Sequence, residues 1–170
     1  ELHSEGDIVF LVGPGEDRLR VHSLFIKAAS PVFCAMFGSH FSEGRNLASN
    51  DIKEVTLPDD DYDALTVLFA IIHHRLDIIP QNLNVNQIYN ISVLVDKYRC
   101  VEVVSFAGTN FAAYYWLHRK LPSDLQNLGY LMVSAYLFND EAVFNKVTRN
   151  MICNHVDSFA GVATDLIDHV

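Results

Sequence analysis

The sequence predicts an α+β fold, with a small mixed sheet near the start of the chain and helices after it. Short apolar or alternating runs separated by turn residues are confined to the part before residue 58. Beyond residue 59, apolar residues recur at helical spacing. Because strands and helices are segregated rather than alternating, the pattern is typical of an α+β domain and not of a doubly wound sheet.

A β-hairpin is predicted at the N-terminus. Residues 7–12 form an apolar run, residues 18–22 alternate in polarity, and the Gly- and Pro-containing residues 13–15 lie between them. A third strand is predicted over residues 54–57. A polar segment with Gly and Asn, residues 38–53, precedes it.

Helices are predicted from capping residues and apolar periodicity. Ser23 is expected to cap a helix through Ala29, and Pro31 to open another through Phe37. The acidic residues 59–61 start the next helix, and residues 75–80 interrupt the pattern and are expected to hold a short strand. The apolar positions that mark the later helices are Tyr62, Leu65, Phe69 and Ile72; Ile88, Ile91, Val95 and Tyr98; Val104, Ala107, Phe111 and Tyr114; Leu125, Leu128, Met132 and Ala135; Phe144, Val147 and Met151; and Phe159, Val162, Leu166 and Val170.

Composition limits the possible partners. A formal net charge of -9, with 12 basic against 21 acidic residues, argues against nucleic acid. The sequence has no polybasic run and no apolar stretch of about 20 residues, so it does not predict a membrane partner. A mean hydropathy of +0.15 fits either a helix-rich core or apolar surface that awaits a partner. The three scattered cysteines predict reduced, buried thiols in an intracellular protein, cytoplasmic or nuclear.

The sequence predicts no catalytic residue, cofactor or metal. Residues 13–15 lack the Lys and Ser/Thr of a phosphate-binding loop. His73 and His74 are adjacent, so on a helix they point about 100° apart and do not chelate as an i, i+4 pair would. The acidic residues 59–61 are better explained as a helix start than as a cation site.

Four runs, in this order, resemble the BTB/POZ family. They are residues 7–12, 21–33, 55–58 and 95–98, and the resemblance spans residues 7–118. It implies a BTB/POZ domain over 7–118, followed over 119–170 by a helical extension similar to a 3-box or the start of a BACK-like region. It also implies structural roles for Asp7, His22 and Ser30. The family is an interaction family, so the chain is expected to bind proteins and to catalyse nothing.

Two features are similar to adaptors of cullin-3 RING ubiquitin ligases, such as the speckle-type POZ proteins. Residues 41–43 match their apolar-x-Glu motif, and residues 123–158 resemble the 3-box. The similarity implies a homodimer that binds cullin-3, with the protein substrate held by regions outside this segment. Residues 71–75 and Ala29 depart from the family pattern, which is compatible with a fungal or protist relative. The alternative is an oligomerising scaffold in transcription or signalling, without a ligase.

Each candidate contact has a structural alternative. Phe41 is either an anchor that enters a cullin pocket or a loop aromatic packed against its own core. Tyr114 and Tyr115 either form the rim of an interface, or one of them is a core residue and the other is solvated. The dimer candidates are otherwise core residues. The cullin candidates are Phe41, Glu43, His73, Arg75, Tyr114 and Tyr115, and the dimer candidates are Leu24, Phe25, Ala28 and Val32.

Overall fold

The computed structural model describes residues 2–38, 52–105 and 121–155, and the fold is α+β as predicted. The strands are β1 (Ile8–Val12), β2 (Asp17–Val21) and β3 (Lys53–Leu57). The helices are α1 (Ser23–Ala29), α2 (Pro31–Met36), α3 (Tyr62–Ile72), α4 (Val85–Lys97), α5 (Leu125–Leu137) and α6 (Glu141–Asn154). A 3-10 turn covers Leu76–Ile78, and residues 101–105 are also helical.

The three strands form one mixed sheet in the order β2-β1-β3. β1 is antiparallel to β2 and parallel to β3, with Ile8 opposite both Val21 and Lys53. The hairpin turn uses Gly13 at a φ of 69°, a left-handed conformation that glycine adopts without strain. Its N–H donates to the Leu57 carbonyl at 2.9 Å, which ties the turn to the end of β3.

The helices pack in sequence outward from the sheet. α3 is buried along most of its length and packs against α1, β2 and α4. α4 then packs against α5, and α5 against α6, so the extension joins the domain through α4. No helix in the described part of the chain is long and apolar enough to cross a membrane.

Two local predictions were wrong. The cap of α1 is His22 and not Ser23, because the Ser23 N–H and hydroxyl both donate to Asp7, at 2.6 Å each. Residues 75–80 hold a 3-10 turn instead of a strand, because the N–H groups of Ile78 and Ile79 donate to the carbonyls of Arg75 and Leu76, three residues earlier. The helix predicted at residues 104–114 is described only to residue 105, and the one predicted at 159–170 lies outside the described residues.

The cysteines are all free, but only Cys100 is buried. Burial raises the pKa of its thiol to about 12, so it is unreactive at neutral pH. Cys34 and Cys153 are exposed, because each lies on the outer side of a helix whose inner side carries the core residue, Phe33 or Met151.

Tyr98 connects α2, α4 and the start of α3. Its ring stacks on Phe33 with centroids 4.2 Å apart, and its carbonyl accepts the Ser30 hydroxyl at 2.5 Å. Ser30 in turn accepts the Phe33 N–H as the cap of α2. The Tyr98 hydroxyl donates to the buried Asp60, whose other oxygen lies 2.5 Å from the Lys97 ammonium. Burial and this carboxylate together raise the pKa of Tyr98.

Ser30→Ala is expected to destabilise the fold by roughly 1–3 kcal/mol. The change removes a helix cap and leaves the buried Phe33 N–H and Tyr98 carbonyl without partners. Urea unfolding measures the loss. The matched control is Ser123→Ala at an exposed position, and an equal loss in both variants would contradict this role for Ser30.

Candidate interaction surface

The first two helices present an apolar surface to solvent, called here the α1–α2 surface. α1 has seven residues and α2 has six, and each turns few side chains inward, chiefly Ile26 and Phe33. The outward side chains follow the i, i+4 spacing of a helix face. The exposed residues of this surface are Leu24, Ala28, Pro31, Cys34 and Ala35, with Phe25, Val32 and Met36 half-buried beside them.

The four predicted dimer residues lie together on this surface, but they are not equally available. Leu24 is 65% exposed and Ala28 is exposed, so both are free to meet a partner. Phe25 and Val32 are half-buried and pack against the core. Pro31 and Ala35 also lie on this outer face and were not predicted as contacts, although their i, i+4 spacing opposite Phe33 would have placed them there.

A small polar network fixes the start of α1. Asp7 accepts both the N–H and the hydroxyl of Ser23, and His22 Nδ1 accepts the Leu24 N–H at 3.2 Å. Burial acts to raise the pKa of Asp7, but the bonds from Ser23 outweigh it and hold that pKa below its usual value. The network positions Leu24 at the first turn of the exposed surface.

His73 does not fit the partner-binding role predicted for it. It is 7% exposed, and both ring nitrogens are engaged inside the protein. Nδ1 lies 2.8 Å from the Phe69 carbonyl and Nε2 accepts the His22 N–H at 3.1 Å, which requires the neutral ring with its proton on Nδ1. Burial lowers the pKa of His73, as do the nearby imidazoles of His3 and His22.

Arg75 lies at the edge of the domain with its side chain 43% exposed. Its guanidinium donates to Asp77 and to the Leu2 carbonyl at 3.0 Å, so it also ties the N-terminal segment to the end of α3. The other predicted cullin contacts, Phe41, Glu43, Tyr114 and Tyr115, lie outside the described residues. Among the residues that are described, no group of three or more His, Cys, Asp or Glu could hold a metal ion.

Two short helices that leave an apolar face open are consistent with a domain that binds other proteins. The family model of the BTB/POZ domain matches residues 1–105, and the chain belongs to this family. No curated protein matched the sequence. Membership implies protein–protein interaction and oligomerisation, and the family is generally non-enzymatic.

The match begins before the domain start predicted at residue 7. The structure explains the earlier start, because Leu2 is buried and its N–H donates to the Arg20 carbonyl at 3.0 Å. Residues 2–6 therefore pack as part of the domain. The end predicted at residue 118 lies outside the described residues.

Stability is expected to fall as the pH drops below the ordinary imidazole pKa of 6.5. Because the folded pKa of His73 is lowered, the unfolded chain binds a proton first, so this contribution is complete above 6.5 and is lost as the pH falls toward the folded pKa. Urea unfolding between about pH 7.5 and about pH 5 measures the slope.

His73→Asn should flatten this slope, since the carboxamide does not titrate. His74→Asn is the control, because His74 is exposed and its φ of 56° suits asparagine. Equal slopes in the wild type and both variants would contradict the assignment to His73.

Proposed function

We propose that this BTB/POZ domain homodimerises through the α1–α2 surface and acts as a substrate adaptor for a cullin-3 RING ubiquitin ligase. Its protein substrate would be held by regions outside this segment, in the cytoplasm or the nucleus. The exposure of Leu24 carries the first part of the proposal. The motif at residues 41–43, together with the helical extension, supports the second part.

Self-association is supported by the apolar character of the α1–α2 surface. Leu24 and Ala28 are exposed one helical turn apart, and Pro31 and Ala35 repeat the spacing on α2. A two-fold axis would bring this surface against its own copy, as closed dimers require. A specific dimer buries about 1,600 Å² in total, which needs contacts on both helices.

Leu24→Asp is expected to convert the dimer to a monomer. The charge would meet its own copy across the two-fold axis in a desolvated contact, while the exposed first turn of α1 tolerates an acid. Light scattering at micromolar concentration gives the mass, and a melting curve shows that the variant folds.

Ile152→Asp is the matched control, since Ile152 is 75% exposed on α6, away from this surface. It should remain dimeric. A monomeric wild type, or a dimer that survives Leu24→Asp, would contradict the proposed interface.

Cullin binding is supported by how the extension joins the domain. Tyr89 of α4 stacks on Tyr130 of α5 with centroids 4.6 Å apart, and the Ser92 hydroxyl lies 3.4 Å from that of Ser134. The domain and extension are therefore packed together, as a shared binding face needs. In this proposal Phe41 is the anchor.

Around that anchor, Glu43 pairs with the partner or fixes its own loop. Arg75, Tyr114 and Tyr115 form the rim, where amphipathic side chains suit an interface. We leave His73 out of the rim, because its ring is used inside the fold.

Phe41→Ala is expected to weaken binding to the cullin-3 N-terminal region by more than tenfold. Truncating an aromatic anchor typically costs ~2 kcal/mol or more, and about 1.4 kcal/mol corresponds to one decade. Calorimetric titration measures the affinity, and a melting curve separates lost binding from lost folding. Tyr136→Ala is the control, because Tyr136 is 69% exposed on α5 and is not part of the proposed rim.

Unchanged affinity in Phe41→Ala would remove Phe41 as the anchor. A wild type that dimerises but binds no cullin would favour the second candidate, an oligomerising scaffold without a ligase. That candidate is favoured by the α1–α2 surface alone, because the surface explains self-association with no further partner.

A further inference from the structure

Three histidines, called here the histidine cluster, surround one aromatic ring at the start of the α1–α2 surface. His3 comes from the N-terminal segment, His22 caps α1, and His73 is the C-terminal cap residue of α3. The ring of Phe25 lies among them. Its centroid is 6.0 Å from that of His3, 5.8 Å from that of His22 and 5.1 Å from that of His73. Because imidazole changes its charge between about pH 5 and about pH 8, proton uptake in this cluster acts directly on the surface.

The link between α3 and α1 requires a neutral His73. Its Nε2 accepts the His22 N–H at 3.1 Å, and its Nδ1 donates to the Phe69 carbonyl at 2.8 Å. A second proton has to bind Nε2, because Nδ1 already carries one. The protonated Nε2 no longer accepts, so the bond from His22 is lost and two N–H groups face each other.

The lost bond lies at the cap of α1. The imidazole of His22 accepts the Leu24 N–H at 3.2 Å and so fixes the first turn of this helix. α1 has only seven residues and is too short to be stable alone. Release of the His22 backbone from His73 therefore loosens the turn that carries Leu24 and Phe25, two of the proposed dimer contacts.

The titratable groups that face the His73 ring disfavour its cation. They are His3 of the N-terminal segment and His22 of α1. Burial lowers the pKa of His73, and the electrostatic effects of these two imidazoles act in the same direction. Asp7 faces His22, with 3.9 Å between the carboxylate and Nδ1, and Lys27 lies in the last turn of α1. Protonation of His73 is therefore opposed for as long as α1 is in place.

Arg20 of β2, Lys97 of α4 and Arg75 after α3 are engaged with groups other than His73. Arg20 donates to a carbonyl of the N-terminal segment at 2.8 Å, and Lys97 bonds the buried Asp60. Arg75 bonds Asp77 in the 3-10 turn. The remaining charged side chains of β2, α3 and α4 are exposed, namely Asp17, Arg18, Asp63 and Asp96.

We propose that the histidine cluster is a pH-sensitive switch of the dimer, in which proton uptake by His73 releases the start of α1 and separates the two copies. This inference rests on the proposed dimer through the α1–α2 surface. The affinity is constant above pH 6.5 and falls once the pH drops below the lowered pKa of His73 in the folded monomer. One proton enters each copy, so below that pKa the dissociation constant rises by up to about 100-fold per pH unit.

The test measures the dimer dissociation constant by light scattering at about pH 7.5 and about pH 5. His73→Gln removes the titrating ring, and its carboxamide oxygen reaches the position of Nε2, where it accepts the His22 N–H at either pH. His22→Asn keeps a capping side chain on α1 without an imidazole. His74→Asn is the matched control, because it removes an exposed histidine next to the cluster.

The dissociation constant of the wild type is expected to rise at least tenfold at the lower pH, and His22→Asn and His74→Asn should respond in the same way. His73→Gln should have nearly the same dissociation constant at both pH values. An NMR titration of the histidine rings gives a check without a variant, since the His73 ring should titrate where the dissociation constant begins to rise. Hydrogen exchange of dilute protein, corrected for the intrinsic effect of pH, should show lost protection confined to residues 22–29.

The outcomes separate the switch from the dimer itself. A dimer whose affinity is independent of pH, or whose pH response survives His73→Gln, would overturn the switch and leave the dimer in place. Loss of protection throughout the domain at the lower pH would also overturn it, because the release would then be global unfolding. A wild type that is monomeric at both pH values would overturn the proposed dimer and the switch together.

Discussion

The rest of the structure depends on the contacts of Tyr98 with Ser30, Phe33 and Asp60, called here the Tyr98 clamp. The Tyr98 carbonyl accepts a hydrogen bond from the hydroxyl of Ser30, which lies far earlier in the sequence, and the Tyr98 ring stacks on Phe33. Its hydroxyl and the neighbouring Lys97 satisfy the buried Asp60. A buried carboxylate is tolerated only when it is paired and hydrogen-bonded, so these contacts form or fail together.

Contacts with the core, of which the stacking of Tyr98 on Phe33 is one, keep the two short helices α1 and α2 folded although one face of each is exposed. Helices of six or seven residues are not stable alone in water, so α1 and α2 depend on tertiary contacts. Each receives a side-chain cap, from His22 and Ser30, and each inserts a core residue, Ile26 and Phe33. Because these inward contacts hold both helices, the outward residues need not pack and remain available to a partner.

Much of the fold followed from local sequence patterns. The Gly-containing turn and the alternation of polarity predicted the hairpin, and the i, i+3, i+7 spacing predicted α3 to α6. One error came from a side chain that bonds across the fold. Ser23 has the chemistry of a helix cap, but Asp7 engages it and leaves the cap to His22.

The candidate sites were harder to predict, because exposure depends on what packs nearby. Leu24 is exposed while its neighbour Phe25 is half-buried, and the periodicity of the sequence did not predict this difference. The buried ring of His73 is satisfied by the His22 N–H, and the extension is held by the approach of α5 to α4. Both are long-range contacts that no local spacing encodes.

Hydrogen exchange at two protein concentrations tests most directly the central claim that the α1–α2 surface is where copies of this domain meet. Raising the concentration from monomer to dimer should slow amide exchange in residues 23–36 and leave α5 unchanged, since only the first segment would become covered. Protection that grows in α5 or α6 instead, or exchange independent of concentration throughout, would contradict the account.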